Sequence, residues 1–152
     1  MKKEKKLNNK GFSLVELIIV IAIMAVLAGA LAPQLIKYID KSKKSTDVQT
    51  GQTIATAVNS ALANPDAYDD AATSTLTAIY SEATPDDFET EIKEILGATA
   101  PVPKYKTGTY SNFYIVVDGT DKSFKIYAIG ASAPGTLDDK DLLYPTVGAN
   151  FK

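Results

Sequence analysis

Apolar residues in this chain are concentrated near its N-terminus. From Leu17 to Ile36, twenty consecutive residues, LIIVIAIMAVLAGALAPQLI, carry no charge, and Gln34 is the only polar side chain among them. A helix of that length covers about 30 Å, the thickness of a bilayer's hydrocarbon core. After Ile36 the pattern becomes amphipathic: Ile36, Ile39, Val48, Ile54, Ala55, Val58, Ala61 and Leu62 fall on one stripe, with Lys41, Lys43, Lys44 and Asp47 around it. Asn64-Pro65 ends the helix, because proline disfavours helical backbone in the residue before it. Running from Phe12 to Ala63, such a helix would be about 78 Å long. That exceeds any compact domain this chain could build, so its front half is expected to protrude and its back half to pack on a head.

Downstream of Pro65 the periodicity shortens. Leu76, Ile79 and Tyr80 suggest one short helix. Thr84-Pro85-Asp86-Asp87 reads as an N-cap with proline at the first helical position and acids in the first turn; Phe88, Ile92, Ile95 and Leu96 supply one apolar face, and Gly97 ends it. Beyond Pro101 the chemistry changes to strands. Phe113–Val117 and Phe124–Ile129 are β-branched and aromatic runs around Asp118-Gly119-Thr120-Asp121, a hairpin pattern. Tyr105–Tyr110 is read as a further edge strand, and Leu142–Phe151 as another segment interrupted by Pro145. A long helix against a small antiparallel sheet predicts an α+β fold.

Charge follows the same division. Met1–Gly11 contains five lysines against Glu4, leaving eleven lysines and seventeen acids for the rest of the 152 residues. The overall charge of -2 is therefore a cancellation between a basic start and an acidic body. A basic tail ahead of an apolar span stays cytoplasmic, which directs the C-terminal part outwards. The acidic body repels phosphate backbones, so nucleic acid is not expected as a partner. The chain has no Cys and no His, and all its basic residues are Lys. Thiolate and imidazole chemistry are thereby excluded, along with disulfides. No nucleophile lies near a base in the sequence, so no catalytic residues, cofactor or metal are assigned and the chain is not expected to be an enzyme.

An ordinary secretory signal also begins with basic residues and an apolar stretch, and Ala28-Gly29-Ala30 could serve as its cut site. Glu16 argues otherwise. It stands at the entry of the apolar run, where an ionised carboxylate costs about 2.5 to 3.5 kcal/mol on insertion scales. Ahead of it comes Lys10-Gly11-Phe12-Ser13-Leu14-Val15-Glu16. This motif with the uninterrupted helix behind it, roughly Lys10 to Ile36, resembles the class III signal of type IV prepilins and pseudopilins. The resemblance implies residues 1–11 as a cleaved leader, 12–36 as a transmembrane and filament-core helix, 37–63 as its amphipathic continuation and 64–152 as a globular α+β head, the type IV pilin fold. It implies cleavage between Gly11 and Phe12 by a prepilin peptidase and N-methylation of Phe12. Glycine suits that cut, since it lets an extended backbone lie in a protease groove. Cleavage also creates a positive amino group in an apolar setting; Glu16, the only acid within one turn, is expected to neutralise it, in its own chain or on a neighbour.

Ala22, Ala25, Ala28, Gly29 and Ala32 recur at spacings of three and four, which allows close helix packing or simply reflects lipid-facing composition. Pro33 lacks a donor for the Gly29 carbonyl, so Gly29–Pro33 is expected to bend or lose helical bonds; in pilins a proline at the corresponding place marks a stretch that can melt and extend. In the head, Asp118, Asp121, Asp138, Asp139 and Asp141 could supply oxygens to Ca²⁺, as in some pseudopilins, but no calcium-loop spacing is present and turn chemistry accounts for them. Tyr105, Tyr110, Tyr114 and Tyr127 could form an exposed strip or cover a sheet face. The expectation is a structural subunit of a type IV pilus for adhesion or motility, a precursor in the cytoplasmic membrane and then a surface filament. Its implied partners are its own copies, minor pilins, the prepilin peptidase, the membrane and an inner-membrane assembly platform. The alternatives are a pseudopilin of a type II secretion or competence system, and a membrane-anchored or secreted binding module with an ordinary signal.

Overall fold

The structure, a computed structural model, describes residues 11–131 and 135–152; the basic start, Lys2 to Lys10, lies outside them. The chain divides into two compact units, one ending at Ile39 and the other running from Asp40 to Lys152. The first element, α1, is a 50-residue helix, Leu14–Ala63, which contributes to both. Its residues in the first unit are all exposed, and none of its buried residues precedes Asp47. The helix continues without a break through Gly29–Pro33, so that stretch is not melted in this structure.

In the second unit α1 is followed by α2 (Pro65–Asp70), β1 (Ser74–Thr75), α3 (Leu76–Ser81), α4 (Asp87–Leu96), β2 (Asn112–Val117), β3 (Phe124–Ile129) and β4 (Leu142–Tyr144), the last preceded by a 3-10 turn at Asp139–Asp141. The sheet is antiparallel with order β1-β2-β3-β4. The fold is α+β, a long N-terminal helix with a four-stranded antiparallel sheet, consistent with the type IV pilin fold.

Alternation along the strands decides which side chains meet the helix. Phe113, Ile115, Ile126, Ala128 and Leu143 share one core with Ile54, Ala55, Val58 and Ala61 of α1. Opposed pairs in the register, Phe113 with Ala128 and Ile115 with Ile126, fall on this face. Each fully buried Ile or Phe contributes about 1.5–3 kcal/mol, so the stripe from Ile54 onwards is what holds α1 in the second unit. Gly51 marks the closest approach, since a Cβ there would lie 2.9 Å from Leu143 Cβ. On the opposite face Tyr127, Ile129 and Leu142 form a smaller cluster with Tyr114, Val116 and Leu137.

Several local expectations need correction. The cap of α4 is Asp86, whose carboxylate accepts from the Glu89 amide at 2.8 Å, and Thr84 and Pro85 lie outside the helix; Asp86 sits three residues before Glu89 and competes better for that amide. Asn64-Pro65 both stops α1 and starts α2: the Asn64 side chain accepts from the Asp66 amide, with Pro65 at the first helical position. No strand forms at Tyr105–Tyr110. The Thr109 and Tyr110 amides bond the Lys106 carbonyl in a tight turn with Lys106 at φ 43°, and the Lys104 and Tyr105 amides go to Asp47. The edge beside β2 is taken instead by β1, too short for its two residues to stand out by pattern.

Asp47 belongs with the buried residues and not with the polar face. It is 1% exposed, and its two carboxylate oxygens accept from the Lys104 amide at 2.7 Å and the Tyr105 amide at 2.8 Å. Tyr105, Tyr110 and Tyr127 are buried too, so the four tyrosines form no exposed strip. Tyr105 and Tyr110 pack with Phe151, their ring centroids 5.7 and 5.1 Å from it.

Candidate processing and assembly site

The backbone of Gly11, Phe12 and Ser13 is non-helical and exposed, and Phe12 is 88% exposed. Helix begins immediately afterwards, and the residues that start it are polar. Ser13 is the cap: its hydroxyl accepts from the Val15 amide at 3.4 Å, and the Glu16 carboxylate reaches back to accept from the Ser13 amide at 2.9 Å. Ser-x-x-Glu used in this way is a capping box, which satisfies amides that a helix start leaves without partners. It has two consequences at this site. The cap favours a helix that starts after Ser13, and the Gly11–Phe12 peptide ahead of it is non-helical and exposed. The Glu16 carboxylate is also held one residue from the Phe12 nitrogen. Sequence reasoning identified Glu16 by its charge and missed its capping partner, although Ser13 followed three residues later by Glu is a legible signal.

Beyond the box, α1 is long and apolar enough to cross a membrane by length and composition. All its large apolar side chains from Leu14 to Ile39 are exposed, which water does not favour. Helical geometry places Ala22, Ala25, Ala28, Gly29 and Ala32 within roughly 120° of one another around the axis, on one open face. Gly29 has nothing within 4 Å of where a Cβ would stand.

The aspartates of the head are occupied locally. Asp118 accepts from the Thr120 amide at 2.7 Å, and Asp121 from the Ser123 amide at 2.8 Å, which holds the Asp121 carboxyl below its ordinary range. Asp138 does the same with the Lys140 amide at 2.9 Å, and its pKa is likewise lowered. Asp139 accepts from the Tyr127 hydroxyl at 3.3 Å. Asp141 accepts from the Tyr110 hydroxyl at 2.5 Å and the Asn150 amide at 2.7 Å. Burial, followed by the adjacent Asp141 or Asp139, raises both tyrosine pKa values. The structure therefore puts Asp118 and Asp121 in the β2–β3 turn and the other three around the 3-10 turn. Among the described residues no group of three or more acidic side chains is placed to hold a metal ion.

Residues 6–32 match the family model described as the prokaryotic N-terminal methylation motif, the class III prepilin signal. No curated protein and no solved structure matches the chain. The motif supports a precursor of the type IV pilin or pseudopilin type, and the apolar helix that carries it is consistent with insertion in a membrane. The long helix and small antiparallel sheet fit the pilin architecture.

Proposed function

We propose that this chain is the structural subunit of a type IV pilus. It enters the cytoplasmic membrane as a prepilin, is cut after Gly11 by a prepilin peptidase and is N-methylated at Phe12. It then polymerises through the apolar part of α1, on an inner-membrane platform and with minor pilins, into a surface filament for adhesion or motility. The observation that carries this reading is the junction at Gly11 to Glu16: an exposed, non-helical peptide followed at once by a capped helix that is apolar on all sides.

Cutting there removes five lysines that hold the chain at the cytoplasmic face. What remains can move out of the lipid only into another apolar environment, and the exposed helices of other copies provide one. The new ammonium at Phe12 needs a counter-charge in that environment, and Glu16 supplies it. Small residues on one face of α1 let backbones approach closely, and Pro33, without an N–H, makes the stretch from Gly29 the easiest part of α1 to unwind.

Two substitutions separate charge neutralisation from capping. Glu16→Gln keeps an acceptor for the Ser13 amide but carries no charge; Glu16→Ala removes both. Both variants are expected to be processed and to remain in the membrane, and neither is expected to give filaments by electron microscopy. Normal filaments from Glu16→Gln would show that capping is the whole role of Glu16 and would overturn the charge pairing.

A further inference from the structure

The second compact unit has two ends of opposite charge. At one, Lys41, Lys43 and Lys44 stand on α1; the Lys44 ammonium lies 5.0 Å from the Tyr105 ring centroid and donates to the Lys152 carbonyl at 3.2 Å, and the Lys106 ammonium lies 5.3 Å from the same ring. Lys41, Lys44, Val48, Val147, Phe151 and Lys152 line a groove of about 330 Å³ whose walls are mostly apolar and whose rim is ammonium. The other end begins where α1 stops, about 30 Å along the helix from Lys44. There α2 packs on α4, and the Asn64 side chain donates to Glu91 at 2.9 Å. From Asp66 to Glu94 the chain carries nine acids and one lysine. On α2, Asp66, Asp69 and Asp70 are exposed around Tyr68, itself 39% exposed.

The Lys122 ammonium lies 5.5 Å from the Tyr68 ring centroid and donates to the Ala71 carbonyl at 3.1 Å, but Asp66, Asp69 and Asp70, like Lys41 and Lys43, form no ion pair with the described residues of the subunit. Among the described residues the one ion pair is Lys140–Asp138, at 3.5 Å, and it belongs to neither end. A face of like charges repels itself, and an apolar groove open to water forfeits burial; one contact relieves both.

We propose that the acidic face of α2, with Tyr68 at its centre, seats in the lysine-rimmed groove of the next copy of this chain. The proposal rests on the filament reading above and adds which surfaces of the heads meet. Two unlike surfaces of one chain make a heterologous contact, which repeats without closing when the rotation does not return on itself, and so builds a fibre. The groove supplies an apolar centre and the lysines a charged rim, the arrangement of a specific interface. The charges set register and orientation more than affinity.

Wild-type filaments test this by zero-length carbodiimide coupling, which joins a carboxylate to an amine in direct contact, followed by mass spectrometry. Within one subunit Lys44 and α2 are about 30 Å apart along α1, so an amide from Asp66, Asp69 or Asp70 to Lys41, Lys43 or Lys44 links two copies; the end of α4 lies beside Thr46 and Gln49, so its acids do not discriminate. Links from Asp66, Asp69 or Asp70 to Lys41, Lys43 or Lys44 are expected; filaments with none between these residues overturn the proposal. Charge reversal gives a second reading. Changing Lys41, Lys43 and Lys44 to Glu, or Asp66, Asp69 and Asp70 to Lys, should each lower the yield of sheared filaments about tenfold or more at unchanged membrane level. Both sets in one chain should restore it. Normal assembly of either set alone, or no rescue by the combination, overturns the contact. If rescue fails and the lysine variant also loses binding to phosphatidylglycerol vesicles, the lysines serve anionic lipid instead. The filament reading survives each of those results, whereas wild-type protein that forms no filaments removes that reading and the contact together.

Discussion

Asp47 and Gly148 carry more of the head's architecture than their residue types suggest. Asp47 is buried on α1 and fixes the chain at Lys104 and Tyr105, 57 and 58 positions away. With Ala there, two amides lose their acceptor, and buried unsatisfied groups cost about 1–3 kcal/mol each. Asp47→Ala is expected to destabilise the head by about 2–4 kcal/mol, and Asp47→Asn, which keeps one acceptor oxygen, by roughly half. The Tm of a chain beginning at Asp40 measures this, at about 4 °C or more for each kcal/mol; an unchanged Tm in the Ala variant would contradict the role. Gly148 is constrained differently. A Cβ at that position would collide with the Asp139 and Lys140 carbonyls, which are backbone and cannot rotate away. Gly148→Ala should lower stability by about 2 kcal/mol or more, and Gly51→Ala, which meets only the Leu143 side chain, by less.

Among the elements, the C-terminal segment shows how a head without cysteine is closed. Tyr110, Asp141 and Asn150 form one hydrogen-bonded group, Phe151 packs against the stacked pair Tyr105 and Tyr110, and β4 brings Leu143 onto α1. Tyr110 and Tyr127 have raised pKa values, through burial first and the neighbouring aspartates second. The folded state therefore holds their protons more tightly than the unfolded one. Their contribution to stability is complete below the ordinary tyrosine pKa of about 10 and declines as pH rises beyond it. Melting at pH 11 should show a lower Tm than at pH 8, and Tyr110→Phe should flatten part of that difference; identical pH profiles for wild type and variant would contradict the assignment. Strands β2 and β3 were legible in sequence because β-branched and aromatic residues run to a turn, and α4 because it has an apolar face and ends at Gly97, φ 89°. The strand expected at Tyr105–Tyr110 was not there because its first amide belongs to Asp47, 58 positions earlier, and no local pattern reports so distant a partner. Asp47 was misplaced for the same reason: its charge predicts solvent, and only the backbone folded over it explains its burial.

For the whole molecule, α1 has two roles, and its sequence distinguishes them. Up to Ile39 its apolar side chains are exposed and find no core; from Asp47 its buried face completes the core of the head. The first part was readable because length, apolarity and the single acid at Glu16 are local properties. The second required the sheet, and the opposite charges at the two ends of the head became visible only when α2 was placed on α4. The central claim, that this chain is cut after Gly11 and built into a filament by the helix left at its new start, is tested most directly by mass spectrometry of the N-terminal peptide from surface material released by shearing. The account predicts a peptide that begins at Phe12 with a methylated amino group. An N-terminus at Leu31 or an uncut Met1 would contradict it.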